Sequence, residues 1–192
     1  MFDNLLNQPV EQLLTNDIIH NKLPNSLLFS GPINSGKFTC ALEIARILSC
    51  RGNPKGDWLC SCSSCLKHKA LVSSDVLIAG SKDITLEIAG ARQSLLNSIN
   101  KNADYIDATR YLFVRSVRKL TNRFNPVMWQ GDKNLSKISG YTSVIDELLE
   151  ELDPLRPLLE YEKVDKISQK ILEQCQKLES NCMYNSLPIA QM

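Results

Sequence analysis

The sequence has no apolar stretch approaching the roughly 18 residues that a membrane-spanning helix needs. Its N-terminus, MFDNLLNQPVEQ, lacks the basic segment and apolar core of a secretory signal. Internal repeats and low-complexity tracts are absent, which excludes repeat arrays and long disordered tails. Net charge is almost absent too: 22 Lys and Arg stand against 21 Asp and Glu, a balance of +1. The whole-chain balance therefore points neither toward nor away from nucleic acid, and any electrostatic case must be local. These absences leave a cytoplasmic globular chain with no membrane partner as the expectation. At 192 residues it is long enough for one domain, or a domain with a large insertion.

What the sequence does have is cysteine. Seven are present, an odd number, with no export signal to place them in an oxidising compartment. Clustered thiols in a reducing compartment point to metal ligation rather than to a disulfide framework.

Pro9 followed by Val10, Leu13, Leu14, Ile18 and Ile19 predicts an amphipathic helix with proline in its first turn, broken at Leu23-Pro24-Asn25. Ser26-Leu27-Leu28-Phe29-Ser30 predicts a short buried strand, and Asp75-Val76-Leu77-Ile78-Ala79 a second. Between them Ala41, Ile44, Ala45 and Leu48 form a helical stripe. The order of helix, strand, loop, helix, cysteine cluster and strand predicts the opening of an α/β fold with a parallel sheet.

After about residue 84 the character changes to long helices. Phe113, Val117, Leu120 and Phe124 share one face, with Arg115, Arg118, Lys119, Asn122 and Arg123 roughly opposite, and Asn125-Pro126 ends the run. Val144, Ile145, Leu148, Leu149 and Leu152 form the next stripe, surrounded by Asp146, Glu147, Glu150 and Glu151 and stopped by Pro154 and Pro157. Val164, Ile167, Ile171, Cys175 and Leu178 make a last helix, with Cys175 on its core face.

Two motifs carry chemistry. The first is Gly31-Pro32-Ile33-Asn34-Ser35-Gly36-Lys37, a G-x-x-x-x-G-K loop set between an apolar strand candidate and a helix. Its glycines let backbone N–H groups turn toward phosphate, the helix N-terminus adds its dipole, and Lys37 reaches the terminal phosphates. Gly31, Asn34, Ser35, Gly36, Lys37, Phe38 and Thr39 are therefore the candidate nucleotide-binding residues. The position after the lysine should offer a hydroxyl to Mg²⁺, but it is Phe38, and Thr39 follows one residue late, about 100° around the helix. The loop thus reads either as a site for ATP with Mg²⁺ or as a turn that has lost its nucleotide.

The second motif is Cys50, Cys60, Cys62 and Cys65, four thiols within sixteen positions, suited to tetrahedral Zn²⁺. Asn53-Pro54-Lys55-Gly56 supplies a turn between them. His68 could replace one sulfur or sit as an exposed neighbour, and Cys62-Ser63-Ser64-Cys65 could alternatively be a redox pair.

Together the motifs resemble the opening of bacterial DNA polymerase III clamp-loader subunits of the gamma/tau and delta-prime kind. In these an AAA+ (RecA-like) helix leads to a strand and P-loop, and the next helix runs into a four-cysteine zinc module. The resemblance covers about residues 2–79. It rests on Gln8-Pro9, the run from Asn21 through Pro32, Lys37, Ala41-Leu42-Glu43-Ile44-Ala45, Cys50, the cysteine triplet and Ser74-Asp75-Val76. It implies a structural zinc, and a role in loading the sliding clamp onto primed DNA in partnership with other clamp-loader subunits. The family's triplet is usually C-x-x-C-x-x-C, whereas this one is C-x-C-x-x-C, which implies a tighter knuckle. Phe38 departs from hydrolysing gamma-type loops and favours the non-hydrolysing delta-prime stator, with no catalytic residue on this chain.

On this reading residues 1–83 form the AAA+ core with the zinc module at 50–69, and residues 84–182 a helical insertion. Residues 183–192, including Ser186-Leu187-Pro188-Ile189-Ala190-Gln191, return to the core. With no Walker B strand, sensor, lid or collar after them, the chain reads as a fragment. Two other readings stay open: an ATP-hydrolysing gamma/tau-type subunit or other, autonomous P-loop ATPase or GTPase, and a zinc-dependent nucleic-acid-binding module using Arg115, Arg118, Lys119 and Arg123.

Overall fold

Helix α1 (Val10–Ile19) starts directly after Pro9, whose φ of −58° already suits a helical turn. In this computed structural model the chain is described over residues 1–5, 7–33, 35–80 and 84–182, the side chain of Cys182 excepted. The expectations that fall on Asn34 and on residues 183–192 lie outside the described residues. Two compact units divide the chain, residues 1–76 and 77–192.

The first unit holds α1, α2 (Lys37–Ser49) and α3 (Ser63–Lys69), with α2 packed on α3. Its core gathers Phe2, Leu5, Leu14, Ile18, Cys40, Ile44 and Ile47. Each large apolar side chain buried here contributes roughly 1.5–3 kcal/mol. Only part of the α1 stripe is used: Leu14 and Ile18 are buried, while Leu13 and Ile19 are exposed. The buried face of α2 is also rotated from the expected one. Ile44 is buried as expected, but Cys40, Glu43, Arg46 and Ile47 accompany it, while Ala41 and Leu48 are exposed.

The predicted parallel strands are not formed among the described residues, which are helical or irregular. Residues 26–30 are irregular; Phe29 packs against the core, but Leu28 is 95% exposed. An isolated apolar segment does not become a strand without neighbours to take its N–H and C=O groups. No such neighbour occurs among the described residues, and none covers the Ala41 and Leu48 face of α2.

The second unit contains α4 (Thr85–Asn100), α5 (Ile106–Thr121), α6 (Leu135–Glu151) and α7 (Tyr161–Cys182). Helix α4 packs against α5 and α7, and α6 against α7. The stripe of Phe113, Val117, Leu120 and Phe124 is buried, joined by Ile88 and Leu95 of α4, Ile145 and Leu149 of α6, and Ile171, Cys175 and Leu178 of α7. Asn102 ends α4 in the left-handed conformation (φ 47°), and the N–H of Ala103 reaches back to the Ser98 carbonyl at 2.9 Å. After α5 the Asn125 side chain accepts the Val127 N–H at 3.0 Å, opening a 3₁₀ turn at Pro126–Trp129. Phe124 stacks on Trp129 with ring centres 5.5 Å apart. Buried Arg110 of α5 donates to the carbonyls of Leu152 and Arg156, both at 2.9 Å, and to those of Asp153 and Pro157. It thereby holds the turn that follows α6, from the C-cap Leu152 to Pro157, supplying donors to carbonyls that lie outside any helix.

Candidate metal centre and phosphate loop

A single helix joins the two motifs. Helix α2 starts at the phosphate loop and its thirteen residues run, over about 20 Å, to Cys50. At its start Gly36 adopts φ 77°, a left-handed conformation that costs an L-residue about 1–2 kcal/mol. Lys37 folds back over the loop. Its Nζ donates to the Gly31 carbonyl at 2.9 Å, to Ser35 Oγ at 3.2 Å and to the Pro32 carbonyl. A phosphate entering here would exchange carbonyl partners of the ammonium for phosphoryl oxygens, which it binds more strongly because both partners are charged. Phe38, beside Lys37, is 43% exposed. Thr39 is half-buried one residue further along α2.

At the far end, Cys50, Cys60, Cys62 and Cys65 come together with all four sulfurs within 4.8 Å of one another. Cys50 Sγ and Cys60 Sγ are 3.8 Å apart. Four sulfurs at the usual Zn–S distance of about 2.3 Å, placed tetrahedrally, lie about 3.8 Å apart, so the cluster fits that ion. Cys50 follows α2, Cys62 caps the N-terminus of α3, Cys65 stands in the first turn of α3, and Cys60 comes from the loop between. The C-x-C-x-x-C spacing thus places three thiols around a single short helix start.

The loop backbone already solvates the thiolates. The N–H groups of Gly52 and Gly56 each donate to Cys50 Sγ at 3.3 Å. Burial works against ionisation of Cys50, but these donors and the neighbouring thiols outweigh it and lower its pKa. The N–H groups of Cys65 and Arg51 hold the Cys62 thiol down to about 6. Cys65 behaves oppositely in the metal-free cluster. Burial, with bonds to Cys50 and Cys62, pushes it up to about 12 despite the nearby guanidinium of Arg46. A divalent ion reverses that balance, because a coordinated thiol gives up its proton.

His68 is neither a ligand nor exposed. It is buried, with its Nε2 3.3 Å from Ser73 Oγ, and burial lowers its pKa against the pull of Asp75.

Several residues around the cluster were not evident from the sequence. Buried Arg46 and Glu43 form an ion pair at 2.6 Å on the side of α2 facing the cluster. Two cations approach the Trp58 ring, Arg46 at 5.6 Å and Lys69 at 4.9 Å from its centre. Gly52 leaves no room for a side chain beside Cys60. A charge pair inside the α2 stripe, three residues apart and just ahead of Cys50, was the available signal.

In the second unit the basic face of α5 is engaged. Arg118 reaches Asp153 at 3.6 Å, Lys119 is bonded to Glu87 of α4, and Arg115 is half-buried.

The G-x-x-x-x-G-K loop thus leads through a single helix straight into the four-thiol cluster. The chain matches the family described as DNA polymerase III, delta subunit, over residues 6–125, well over half its length, and it belongs to that family. Its role is accordingly related to the DNA polymerase III clamp loader and to DNA replication. The match takes in the phosphate loop, the four cysteines and helices α4 and α5. No curated protein and no solved structure matches the chain. No helix among the described residues is long and apolar enough to cross a membrane.

Proposed function

We propose that this chain acts as a delta-prime-type stator of the clamp loader, a cytoplasmic, non-hydrolysing subunit that helps place the sliding clamp on primed DNA. The observation that carries the reading is Phe38, a partly exposed phenyl ring next to Lys37 where a hydrolysing loop presents a hydroxyl to Mg²⁺. Without that oxygen the loop retains its lysine and backbone donors for phosphate but lacks a hard ligand for the metal. Gly31, Asn34, Ser35, Gly36, Lys37 and Thr39 would then hold nucleotide weakly or serve as a turn.

Four further parts belong to the proposal. Cys50, Cys60, Cys62 and Cys65 hold a structural Zn²⁺, which organises the loop between α2 and α3. Residues 26–30 and 75–79, irregular as described, would pair as strands of an AAA+ sheet where hydrogen-bonding neighbours are available, a reading that the apolar and exposed Leu28 supports. The helices over 84–182 are an insertion in that core. The partners are other clamp-loader subunits and the clamp, with DNA met through the complex.

The test is assembly and turnover together. The purified chain should co-elute with the other clamp-loader subunits of its organism and show no magnesium-dependent phosphate release above background. Failure to co-elute would overturn the clamp-loader role, and turnover that Lys37→Ala abolishes would overturn the stator assignment.

A further inference from the structure

We propose that Arg46 is a positioning residue of the metal centre, holding the ligand Cys65 in place and tempering its thiolate through a direct hydrogen bond. The inference rests on the zinc reading above and extends it to a residue that is not itself a ligand.

A guanidinium has five N–H donors in a rigid planar fork, and in Arg46 all five are used. Nε and one Nη2 hydrogen grip Glu43 of the same helix, with Nε to Oε2 at 3.0 Å and Nη2 to Oε1 at 2.6 Å. The second Nη2 hydrogen goes to the Gly56 carbonyl at 2.9 Å, and Nη1 serves the Asp57 carbonyl at 3.1 Å and Cys65 Sγ at 3.0 Å. The side chain is 2% exposed, so water does not substitute for any of these bonds.

The arrangement divides the work. Glu43 fixes the plane of the guanidinium by a two-pronged grip, which leaves the outer edge aimed at the cluster. That edge ties down the Gly56–Asp57 turn, and the Gly56 N–H in turn donates to Cys50 Sγ. One cation therefore reaches Cys65 directly and Cys50 through a single backbone step. Four thiolates around a divalent ion leave a net double negative charge, and Cys65 is wholly buried, out of reach of solvent. A hydrogen bond from a buried cation is the means at hand to offset part of it. Lysine cannot replace this, because an ammonium has three donors and no plane with which to span Glu43, two carbonyls and a sulfur together.

The experiment uses the full chain with Co²⁺ as the probe, because its sulfur-to-metal charge-transfer band reports thiolate electron density. Wild type should bind one Co²⁺ with a tetrahedral tetrathiolate spectrum. Arg46→Met and Arg46→Lys should weaken Co²⁺ and Zn²⁺ about 10- to 100-fold, the usual cost of losing a partner of a metal ligand. The charge-transfer band should also move to longer wavelength, because a thiolate that loses its donor gives up an electron more easily. Glu43→Gln, which keeps Arg46 but loosens its grip, should fall between. Variants that bind with wild-type affinity and an unmoved band, beside a wild type that binds one ion, would overturn the positioning role and leave the zinc reading intact. Weakened binding with an unmoved band would show a merely structural role and would also overturn it. A wild type that binds no metal would overturn both. If the variants do not fold, the cadmium-113-loaded wild type decides. An Arg46 guanidinium proton should exchange slowly and show scalar coupling to the metal, and its absence would overturn the proposal.

Discussion

Gly52 stands so close to Cys60 that a β-carbon at position 52 would lie 2.4 Å from Cys60 Sγ and 3.5 Å from Cys50 Sγ. In a metal-free chain the Cys60 thiol can turn to another rotamer at small cost, but a coordinated sulfur cannot. Gly52→Ala should therefore weaken zinc at least about tenfold while leaving the helical signal of the metal-free chain unchanged. Gly90→Ala is the control, since a methyl group in the middle of α4 meets nothing within 4 Å. It should stabilise by up to about 1 kcal/mol, the helix preference of alanine over glycine. Equal metal affinity in wild type and Gly52→Ala, measured by chelator competition, would refute the close-packed geometry.

Metal affinity should rise with pH. Cys65 enters the site as a thiol and must release its proton to bind, whereas Cys62, held down to about 6, is already a thiolate at neutral pH. The lowered Cys62 group contributes stability that is fully present above the ordinary thiol range and is lost as pH falls through about 6. Apparent zinc affinity should thus increase roughly tenfold per pH unit for each proton displaced between pH 6 and 8. A flat profile in that window would be inconsistent with thiolate ligation.

The helical unit should depend on its core far more than on its surface charge. Leu120 is wholly buried, and Leu120→Asp places an unpaired carboxylate there, which costs several kcal/mol and should unfold the unit. Arg118 makes a part-exposed pair with Asp153, worth about 0–1 kcal/mol, so Arg118→Glu should leave it folded. Arg110→Met should be severe for a different reason, because it strands the Leu152 and Arg156 carbonyls in the turn that follows α6. Circular dichroism melts rank the three, and an Arg118 variant less stable than the Leu120 variant would contradict the packing account.

Which features the sequence revealed follows from how local their causes are. The α5 stripe from Phe113 to Phe124 was legible because a 3.6-residue period needs no knowledge of its partner. The four cysteines were legible because metal ligation is signalled by residue type and spacing together. Arg46 was not, since a charge inside an apolar stripe makes sense only once its acceptors at Gly56, Asp57 and Cys65 are in place. The burial of His68 was not legible for the same reason, since its partner Ser73 lies beyond the helix that carries it. The segments at 26–30 and 75–79 show the converse: apolar composition alone predicts a strand, but hydrogen-bonded neighbours make one.

Restoring the missing hydroxyl should restore metal-dependent binding. Phe38→Thr replaces a ring that is 43% exposed, so little packing is lost, and it returns an oxygen to the position beside Lys37. Fluorescent ATP should then bind more tightly with Mg²⁺ than without it, a difference absent in the wild-type chain. An identical Mg²⁺ dependence in both would show that Phe38 is not what sets it.

The most direct test of the account's centre is the zinc content of the purified chain, measured by elemental analysis beside single Cys→Ser variants. One zinc per chain is expected, with loss in the variants of Cys50, Cys60, Cys62 and Cys65 and retention in Cys175→Ser, whose thiol lies in the other unit's core. Less than about half an equivalent in the wild type, or full retention in Cys62→Ser, would contradict it.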